Sequence, residues 1–276
     1  MSIALPSFAY HRPATIPDAV ALFADADDAS YVSGGHTLLP AMKTGLAAPA
    51  TLIDLRQIDA LHGIEAGEDF VRIGGAETHA RVAASADLRA AIPTLAQLVG
   101  SIGDVQVRNR GTIGGSVANN DPSADYAAAV LALNAIVETD RREVAADEFF
   151  DGLYSTCLEP GEIVTAVRFP VPAEASYAKF RNPASRYAMA AVFVARLAGG
   201  EIRVAVTGAG NDGVFRWGEA EQALATEFAP EALDNAALDI EGIAGDIHAS
   251  PTYRANLVLV MARRALQNPG KTSVFK

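Results

Sequence analysis

Two adjacent glycines separate a predicted strand from a predicted helix in the stretch Val32-Ser33-Gly34-Gly35-His36-Thr37-Leu38-Leu39-Pro40-Ala41-Met42-Lys43. Glycine tolerates positive φ and lets a ligand approach the backbone closely. Successive N–H groups in such a turn can face one concavity and bind an anion, and the start of the following helix adds partial positive charge. The stretch therefore predicts a cradle for a phosphate-bearing ligand. An ordinary tight turn is the alternative, and this stretch alone does not separate the two.

A second glycine pair lies in the stretch Arg108-Asn109-Arg110-Gly111-Thr112-Ile113-Gly114-Gly115-Ser116-Val117-Ala118-Asn119-Asn120-Asp121-Pro122-Ser123-Ala124-Asp125. Hydroxyls, side-chain amides and carboxylates stand here among small residues. Such groups supply the donors and acceptors that a ligand with phosphates and many hydroxyls requires. A purely structural loop seldom needs so many bonding groups beside paired glycines, so we interpret the stretch as a ligand-binding loop.

Helices and strands alternate around the first stretch. Proline suits the first turn of a helix, which predicts a helix from Pro17 to Ala26. Strands at Tyr31–Ser33 and Thr51–Leu55 flank a helix at Leu38–Lys43, which gives a compact strand–helix–strand unit. The later predicted elements are strands at Val71–Ile73, Ala135–Thr139, Ile163–Phe169, Ala188–Leu197 and Ile202–Val206, a sheet segment at Ala145–Phe149, helices at Thr78–Ala84, Asp87–Val99, Ala124–Ala132, Glu219–Ala225 and Thr252–Gln267, and an arginine-bearing loop at Gly103–Gly111.

The predicted domain boundary is Phe169-Pro170-Val171-Pro172, because prolines stiffen an extended connection. We therefore expect a first domain at residues 1–172, with subdomains of about 1–57 and 58–172. A second, smaller domain is expected at residues 173–276. The mixture of strands and helices predicts the α+β class.

Composition excludes several function classes. The 276 residues include 33 acidic and 22 basic ones, a net charge of −11, and nucleic acid is not an expected partner because phosphate backbones require Lys and Arg stripes. Cys157 is the only cysteine, so an internal disulfide and a four-thiolate iron–sulfur cluster are excluded. The five histidines lack metal-ligand spacing, so we expect no metal site.

No apolar run reaches the roughly 18 residues of a membrane helix. Residues Met1–His11 lack a secretory signal, so we expect a cytoplasmic protein.

Together the two glycine stretches resemble the FAD-binding medium subunit of molybdenum hydroxylases, the family of aerobic carbon monoxide dehydrogenase and xanthine dehydrogenase. The matching motifs are SGGHTLLPAMK from Ser33 and RNRGTIGGSVANNDPSADYAAAVLALNA from Arg108. The resemblance continues through residues 156–163, 177–180 and 207–211, in order and over nearly the whole chain. Ser33 and Thr37 depart from the family pattern, which has alanine and serine there, but both changes keep the size or the chemistry of the side chain.

The resemblance implies a fold and a set of cofactor contacts. The fold is a two-part FAD-binding domain of the PCMH type, with a small strand–helix–strand subdomain and a mixed or antiparallel sheet subdomain, followed by a smaller α/β C-terminal domain. The first loop and the second glycine pair would wrap the FAD diphosphate, and Asp125 would accept hydrogen bonds from flavin-side hydroxyls. Lys179 would reach the cofactor from the second domain, and Tyr187 is a candidate cover for the flavin ring. The implied contacts are Val32, Ser33, Gly34, Gly35, His36, Thr37, Leu38, Ile102, Gly103, Thr112, Gly114, Gly115, Ser116, Asn119, Asp125, Leu158 and Lys179.

The function that the resemblance implies is electron transfer by an oxidoreductase subunit. FAD would be held non-covalently and would relay electrons from two [2Fe–2S] clusters on a small partner subunit to an external acceptor. The resemblance places the molybdenum cofactor and the substrate site on a large partner subunit, in a dimer of heterotrimers. No residue of this chain is expected to act as a general acid or base. The substrate and the final acceptor do not follow from the sequence.

Other readings of the sequence stay open. A literal GxGxxG spans Gly208 to Gly213, but a nicotinamide site also needs a helix at that point and an acidic residue about 20 residues on, after a second strand. His36 resembles the flavin-linked histidine of single-chain flavin oxidases, although their second attachment cysteine has no counterpart here. An autonomous flavin oxidase and a nucleotide-binding assembly module without a redox role are the remaining alternatives.

Overall fold

The computed structural model describes residues 5–276, and its N-terminal part is a small parallel sheet. The elements in chain order are β1 (Ala9–His11), α1 (Ile16–Ala24), β2 (Ala29–Val32), α2 (Leu38–Thr44) and β3 (Thr51–Asp54). The strand order is β1-β3-β2, with β3 parallel to both neighbours. Thr15 starts α1 by accepting a hydrogen bond from the Asp18 amide, and α2 ends at Gly45, whose φ of 77° suits glycine. The predicted strand–helix–strand unit is present here. Part of the segment in which no secretory signal was expected, residues 1–4, lies outside the described residues.

The middle part is an antiparallel five-stranded sheet with helices inserted between its strands. Its elements are β4 (Ile64–Ala66), β5 (Phe70–Gly74), α3 (His79–Ala84), α4 (Ala86–Ala91), α5 (Pro93–Gly100), α6 (Val105–Arg108), α7 (Ile113–Asn119), α8 (Asp125–Ala132), β6 (Ile136–Thr139), β7 (Glu143–Ala145), α9 (Ala146–Phe149) and β8 (Val164–Pro170). The strand order is β4-β5-β8-β6-β7. Every residue of α8 is buried, which explains its alanine-rich composition.

The C-terminal part is a second five-stranded sheet, in the order β12-β11-β10-β9-β13. Its elements are β9 (Glu174–Arg181), β10 (Ala188–Arg196), β11 (Ile202–Gly210), β12 (Gly213–Arg216), α10 (Gly218–Thr226), α11 (Pro251–Leu266) and β13 (Thr272–Phe275). All neighbours are antiparallel except β13, which pairs parallel to β9. Short 3-10 turns occur at Leu55–Gln57, Asp59–Leu61 and Pro230–Asn235.

Both faces of this C-terminal sheet are buried, because successive side chains of a strand point to opposite faces. Phe193 on β10 belongs to the same hydrophobic core as Val167 on β8 and Tyr126 on α8. Its neighbour Val192 packs instead in a second core with Met261 on α11. The sheet therefore lies between the middle part of the chain and helix α11. These layers confirm the predicted α+β fold.

Three local predictions were wrong. The segment Ala145–Phe149 is not a strand: helix α9 begins directly after β7. The predicted helix Asp87–Val99 is two helices, since the residue before a proline avoids the α region and Ile92 precedes Pro93 with a ψ of 71°. The predicted loop Gly103–Gly111 contains the short helix α6.

The GxGxxG sequence is a β-hairpin. Residues 208–210 end β11, and two turn residues lead into β12, which begins at Gly213. A Cβ atom on Gly208 would lie 2.4 Å from the carbonyl oxygen of Ala188, so this glycine serves strand packing. No helix begins at the motif, which removes the basis for a nicotinamide site. Among residues 5–276, no helix has the length and hydropathy that a bilayer crossing requires.

Candidate functional site

The two glycine stretches lie against each other. A Cβ atom on Gly34 would lie 2.6 Å from the carbonyl oxygen of Arg110 and 2.7 Å from the Cα atom of Gly111. One hydroxyl pair also joins the stretches, since Ser33 Oγ and Thr112 Oγ1 are 3.0 Å apart. Glycine at position 34 is therefore required by the close approach of the second stretch.

A second close contact joins Gly75, the residue after β5, to the start of α7. A Cβ atom on Gly114 would lie 2.7 Å from the carbonyl oxygen of Gly75, which accepts the Gly114 amide at 2.9 Å. Gly75 in turn approaches β8, because its own Cβ would lie 2.3 Å from the carbonyl oxygen of Val164. Close contacts between protein segments thus explain why positions 34 and 114 are glycine. The sequence had suggested instead that these glycines make room for a ligand.

A continuous run of free backbone donors lies in the first stretch. Of the hydrogen bonds among residues 5–276, none uses the N–H groups of Gly34, Gly35, His36 or Thr37. Gly35 has a φ of 72°, a left-handed conformation that helps successive N–H groups to face one side. The glycine pair of the second stretch differs, because it lies inside α7 and not in a loop.

The amides at the start of α7 are already bonded within the protein. Gly114 donates to Gly75 and Ser116 donates to the carbonyl of Thr112, while the Gly115 amide donates to Thr112 Oγ1 at 3.2 Å. The start of α7 therefore shapes the wall of the site, and the first stretch supplies a run of donors for an anion.

A cavity of about 630 Å³ opens between these segments, within the usual range for small-molecule sites. Fourteen of the predicted contacts line it: Ser33, Gly34, Gly35, His36, Thr37, Leu38, Ile102, Gly103, Thr112, Gly114, Gly115, Ser116, Asn119 and Asp125. The other three do not. Val32 is buried against Met42 and Leu52, Leu158 packs against the central core, and Lys179 lies behind the wall.

Lys179 reaches the cavity through a neighbour. Its Nζ atom donates to Asp125 Oδ2, and the Tyr177 hydroxyl donates to the other carboxylate oxygen. Burial, followed by the charge of Asp125, raises the pKa of Tyr177 well above its ordinary value. Asp125 thus faces the cavity while two groups from β9 hold it from the rear.

Several wall residues escaped sequence reasoning. Glu162 lies in the quoted segment 156–163, and its lining role had no separate signal. Burial would raise its pKa, but hydrogen bonds from Arg142, the Glu159 amide and Thr139 outweigh that effect and lower the pKa to about 2. The Glu162 carboxylate is therefore charged and fixed in place.

The loop between β9 and β10 closes one side of the cavity. Tyr187, the candidate ring cover, lines it together with Arg186, whose Nη1 donates to the carbonyl of Gly103 at 3.2 Å. Asp121 lies in the same wall, and burial raises its pKa. A positive φ of 65° at Arg186 marks an unusual backbone, but no sequence pattern indicates it.

Free amides, hydroxyls and a cavity of this volume suit a nucleotide cofactor with phosphate groups. The residues fit FAD, because the four unused N–H groups suit its diphosphate and the cavity has the volume of a large ligand.

Comparison with known proteins agrees with this class. Residues 6–172 match the family described as "FAD binding domain in molybdopterin dehydrogenase". The chain is 38% identical to the carbon monoxide dehydrogenase medium chain of Afipia carboxidovorans over 95% of its own length and 96% of that protein. It is 35% identical to the nicotine 6-hydroxylase medium subunit of Paenarthrobacter nicotinovorans, covering 96% and 98%. A crystal structure of Cu,Mo-CO dehydrogenase in its cyanide-inactivated form superposes with a TM-score of 0.88 at 38% identity, covering 96% and 98%.

The chain belongs to the FAD-binding medium subunits of the molybdenum hydroxylases. The family, the FAD cofactor and the oxidoreductase class predicted from the sequence are thereby confirmed.

Proposed function

We propose that this chain holds FAD non-covalently and serves as an electron relay between a partner's [2Fe–2S] clusters and an external acceptor. The observation that carries the proposal is the row of four unused N–H groups from Gly34 to Thr37 at the wall of a cavity. The protein's part in such a relay is to bind the cofactor, orient it and exclude competing reactions. His36 belongs to this row as a non-covalent contact.

The other redox centres belong to partner chains in this proposal. One cysteine, Cys157, cannot supply the thiolates of an iron–sulfur cluster. Two similar proteins are named as a medium chain and a medium subunit, which supports a small [2Fe–2S] subunit and a large molybdenum subunit beside this one. We extend the proposal to a dimer of heterotrimers in the cytoplasm, with no nucleic-acid partner.

Residues 1–172 form the FAD-binding domain in this proposal, with subdomains of about 1–57 and 58–172, and residues 173–276 close the site. Support comes from the loop between β9 and β10, whose residues 185–187 line the same cavity as the first stretch. The fourteen lining residues named above are the proposed direct contacts. Lys179 and Leu158 act from behind the wall, the former through Asp125.

An absorption spectrum of the purified full-length chain tests cofactor binding. We expect visible flavin bands, and release of all flavin into the supernatant after denaturation, because the attachment is non-covalent. A colourless chain that also fails to take up added FAD contradicts the proposal, and flavin that stays with the denatured chain contradicts non-covalent binding.

Purification of the chain from its source tests the relay. We expect two partner chains to copurify, one of them with [2Fe–2S] absorption, and the substrate of the whole complex to bleach the flavin anaerobically. Substrate oxidation by the isolated chain would instead favour an autonomous flavin oxidase. A flavin that stays oxidised while the clusters become reduced would overturn the relay.

A further inference from the structure

His79 lies on the cavity wall beside the second glycine stretch, and none of the predicted contacts includes it. It is the first residue of α3, and its backbone amide donates to the carbonyl of Gly111 at 2.9 Å. The residue is 5% exposed. It nevertheless lines the cavity, so its small exposed part faces the ligand space.

The two ring nitrogens have different surroundings. Nδ1 is buried and has no hydrogen-bond partner among residues 5–276. Nε2, in contrast, is not a buried atom that lacks a partner. A Cβ atom built on Gly111 would lie 2.6 Å from Nε2, closer than to any other atom beyond its chain neighbours. Any side chain at position 111 would cover Nε2. The glycine therefore leaves this nitrogen open towards the cavity.

This difference selects one protonation state. A neutral imidazole has one N–H donor and one acceptor nitrogen. A buried N–H without an acceptor costs about 1–3 kcal/mol, so the proton belongs on the accessible Nε2 and the lone pair on the buried Nδ1. A second proton on Nδ1 would find no acceptor among the described residues.

Burial and two nearby basic residues also oppose a second proton. Burial, followed by the charges of His36 and Arg108, lowers the pKa of His79 to about 4. The Tyr126 ring packs at a centroid distance of 5.4 Å, and α5 contributes no charged residue. On α4, Asp87 and Arg89 are exposed, and the nearby Glu77 carboxylate binds the Gly63 amide and Arg81. The side chain is therefore neutral across the physiological range.

We propose that neutral His79 donates a hydrogen bond from Nε2–H to a diphosphate oxygen of the bound FAD, in addition to the backbone donors of the first stretch. The inference rests on the proposed FAD site and adds a side-chain donor to it. The anion is the expected acceptor because Gly111, beside Nε2, also contacts Gly34, the first of the residues with an unused amide.

Three substitutions test the position of the donor. His79→Gln places an amide N–H near the position of Nε2, His79→Asn places it near Nδ1, and His79→Phe keeps a ring without a donor. We expect FAD affinity close to wild type for Gln and a loss of about tenfold or more for Asn and Phe, since hydrogen bonds to charged groups are worth about 1.5–3 kcal/mol. Thermal melting of the FAD-free chains checks that the variants fold.

A merely structural role would weaken Gln, Asn and Phe alike, and that result would overturn the inference, as would equal affinity in all four proteins. Wild type that binds no FAD would instead refute the proposed function, so the two failures are distinguishable.

Nitrogen-15 NMR of the wild-type chain gives an independent readout. We expect the neutral Nε2–H tautomer at pH 7 with and without FAD, and an Nδ1–H tautomer or an imidazolium contradicts the inference. Phosphorus-31 resonances of bound FAD should shift in His79→Asn, and unchanged resonances would exclude the diphosphate as acceptor.

Discussion

The Nζ atom of Lys179 lies 2.8 Å from Oδ2 of Asp125, and the two side chains are 1% and 5% exposed. They are 54 positions apart in the sequence, so only the packing of α8 against the C-terminal sheet brings them together. A buried ion pair requires hydrogen bonds for its remaining oxygens. Here the Tyr177 hydroxyl supplies one of them.

Replacing Lys179 with methionine should destabilise the chain by about 3–5 kcal/mol, because the Asp125 carboxylate is left buried without its partner. Urea unfolding at pH 7 measures the loss. Retention of FAD should also fall, since Asp125 lines the cavity and loses its rear support.

Tyr177→Phe and the double variant Lys179→Met/Asp125→Asn are the matched controls for that experiment. The first removes one neutral donor and should cost about 1–3 kcal/mol. The second removes both charges and should be less unstable than Lys179→Met alone, because neighbouring changes are not additive. A double variant no more stable than Lys179→Met would contradict a coupled pair.

Gly34→Ala should separate the two glycine stretches. The added Cβ would lie 2.6 Å from the carbonyl oxygen of Arg110 and 2.7 Å from the Cα atom of Gly111. These are backbone atoms, so no change of side-chain rotamer can relieve the clash. We expect a stability loss of about 1–3 kcal/mol and weaker FAD binding by titration. Gly100→Ala is the control, because its Cβ would meet only the Ala83 Cβ at 3.8 Å. Equal FAD affinity in both variants would argue against a role for the contact between the stretches.

Gly115→Val should abolish flavin retention while the chain still folds. A Cβ there meets only Thr112 Oγ1 within 3 Å and otherwise lies beside the cavity, so the added methyl groups occupy ligand space. Flavin absorption after gel filtration measures retention, and circular dichroism checks the fold. Undiminished yellow colour would count against this part of the wall.

Glu162 should contribute to acid denaturation. Its folded pKa of about 2 lies below the ordinary 4.5, so its ion pair with Arg142 stabilises the fold fully above about pH 5. That contribution disappears as the pH falls from 4.5 towards 2. Glu162→Gln should cost about 2 kcal/mol at pH 7, allowing for the exposure of Arg142, and almost nothing near pH 2. Unfolding curves at both pH values check the sign, and a constant difference would contradict it.

Asn120 should hold the loop at residues 151–156. It has a φ of 43°, and its Nδ2 donates to the carbonyls of Gly152 and Ser155 at 2.8 and 2.7 Å. Asn120→Gly removes these two hydrogen bonds and should lower the free energy of unfolding by about 2 kcal/mol. Asn120→Ala should lower it by about 1 kcal/mol more, because alanine disfavours positive φ. Hydrogen exchange in the loop measures the release. Faster exchange in Gly than in Ala would contradict the backbone argument.

The sequence predicted the local elements and the family well where signals are local. Glycine pairs, the first proline of α1 and alternating apolar residues of β10 each act over a few residues. The family resemblance also indicated a large part of the cavity wall, since fourteen of the residues that it implied line the cavity.

The remaining features depend on contacts between distant segments. The strands β9 and β13 were not predicted, because β13 gains its structure by pairing with β9 from the far end of the chain. No sequence pattern singled out His79, because its proposed role depends on a distant residue, Gly111, whose lack of a side chain leaves Nε2 uncovered. The resemblance placed Lys179 near the cofactor, but no sequence pattern indicates its ion pair with Asp125, which lies 54 positions away.

The doubly buried C-terminal sheet has a consequence for cofactor loading. A hinge motion that moved this sheet away from the middle of the chain would expose Tyr177 and Phe193 to water. The burial of such side chains is worth about 1.5–3 kcal/mol each. The loop that carries Arg186 and Tyr187 lies outside that core and bonds to the opposite wall through the Arg186 guanidinium and the carbonyl of Gly103. Ligand entry past this loop would expose less apolar surface than a hinge motion of the sheet. Binding of the cofactor by this route would break the hydrogen bond from Arg186 to Gly103 and leave the core packed.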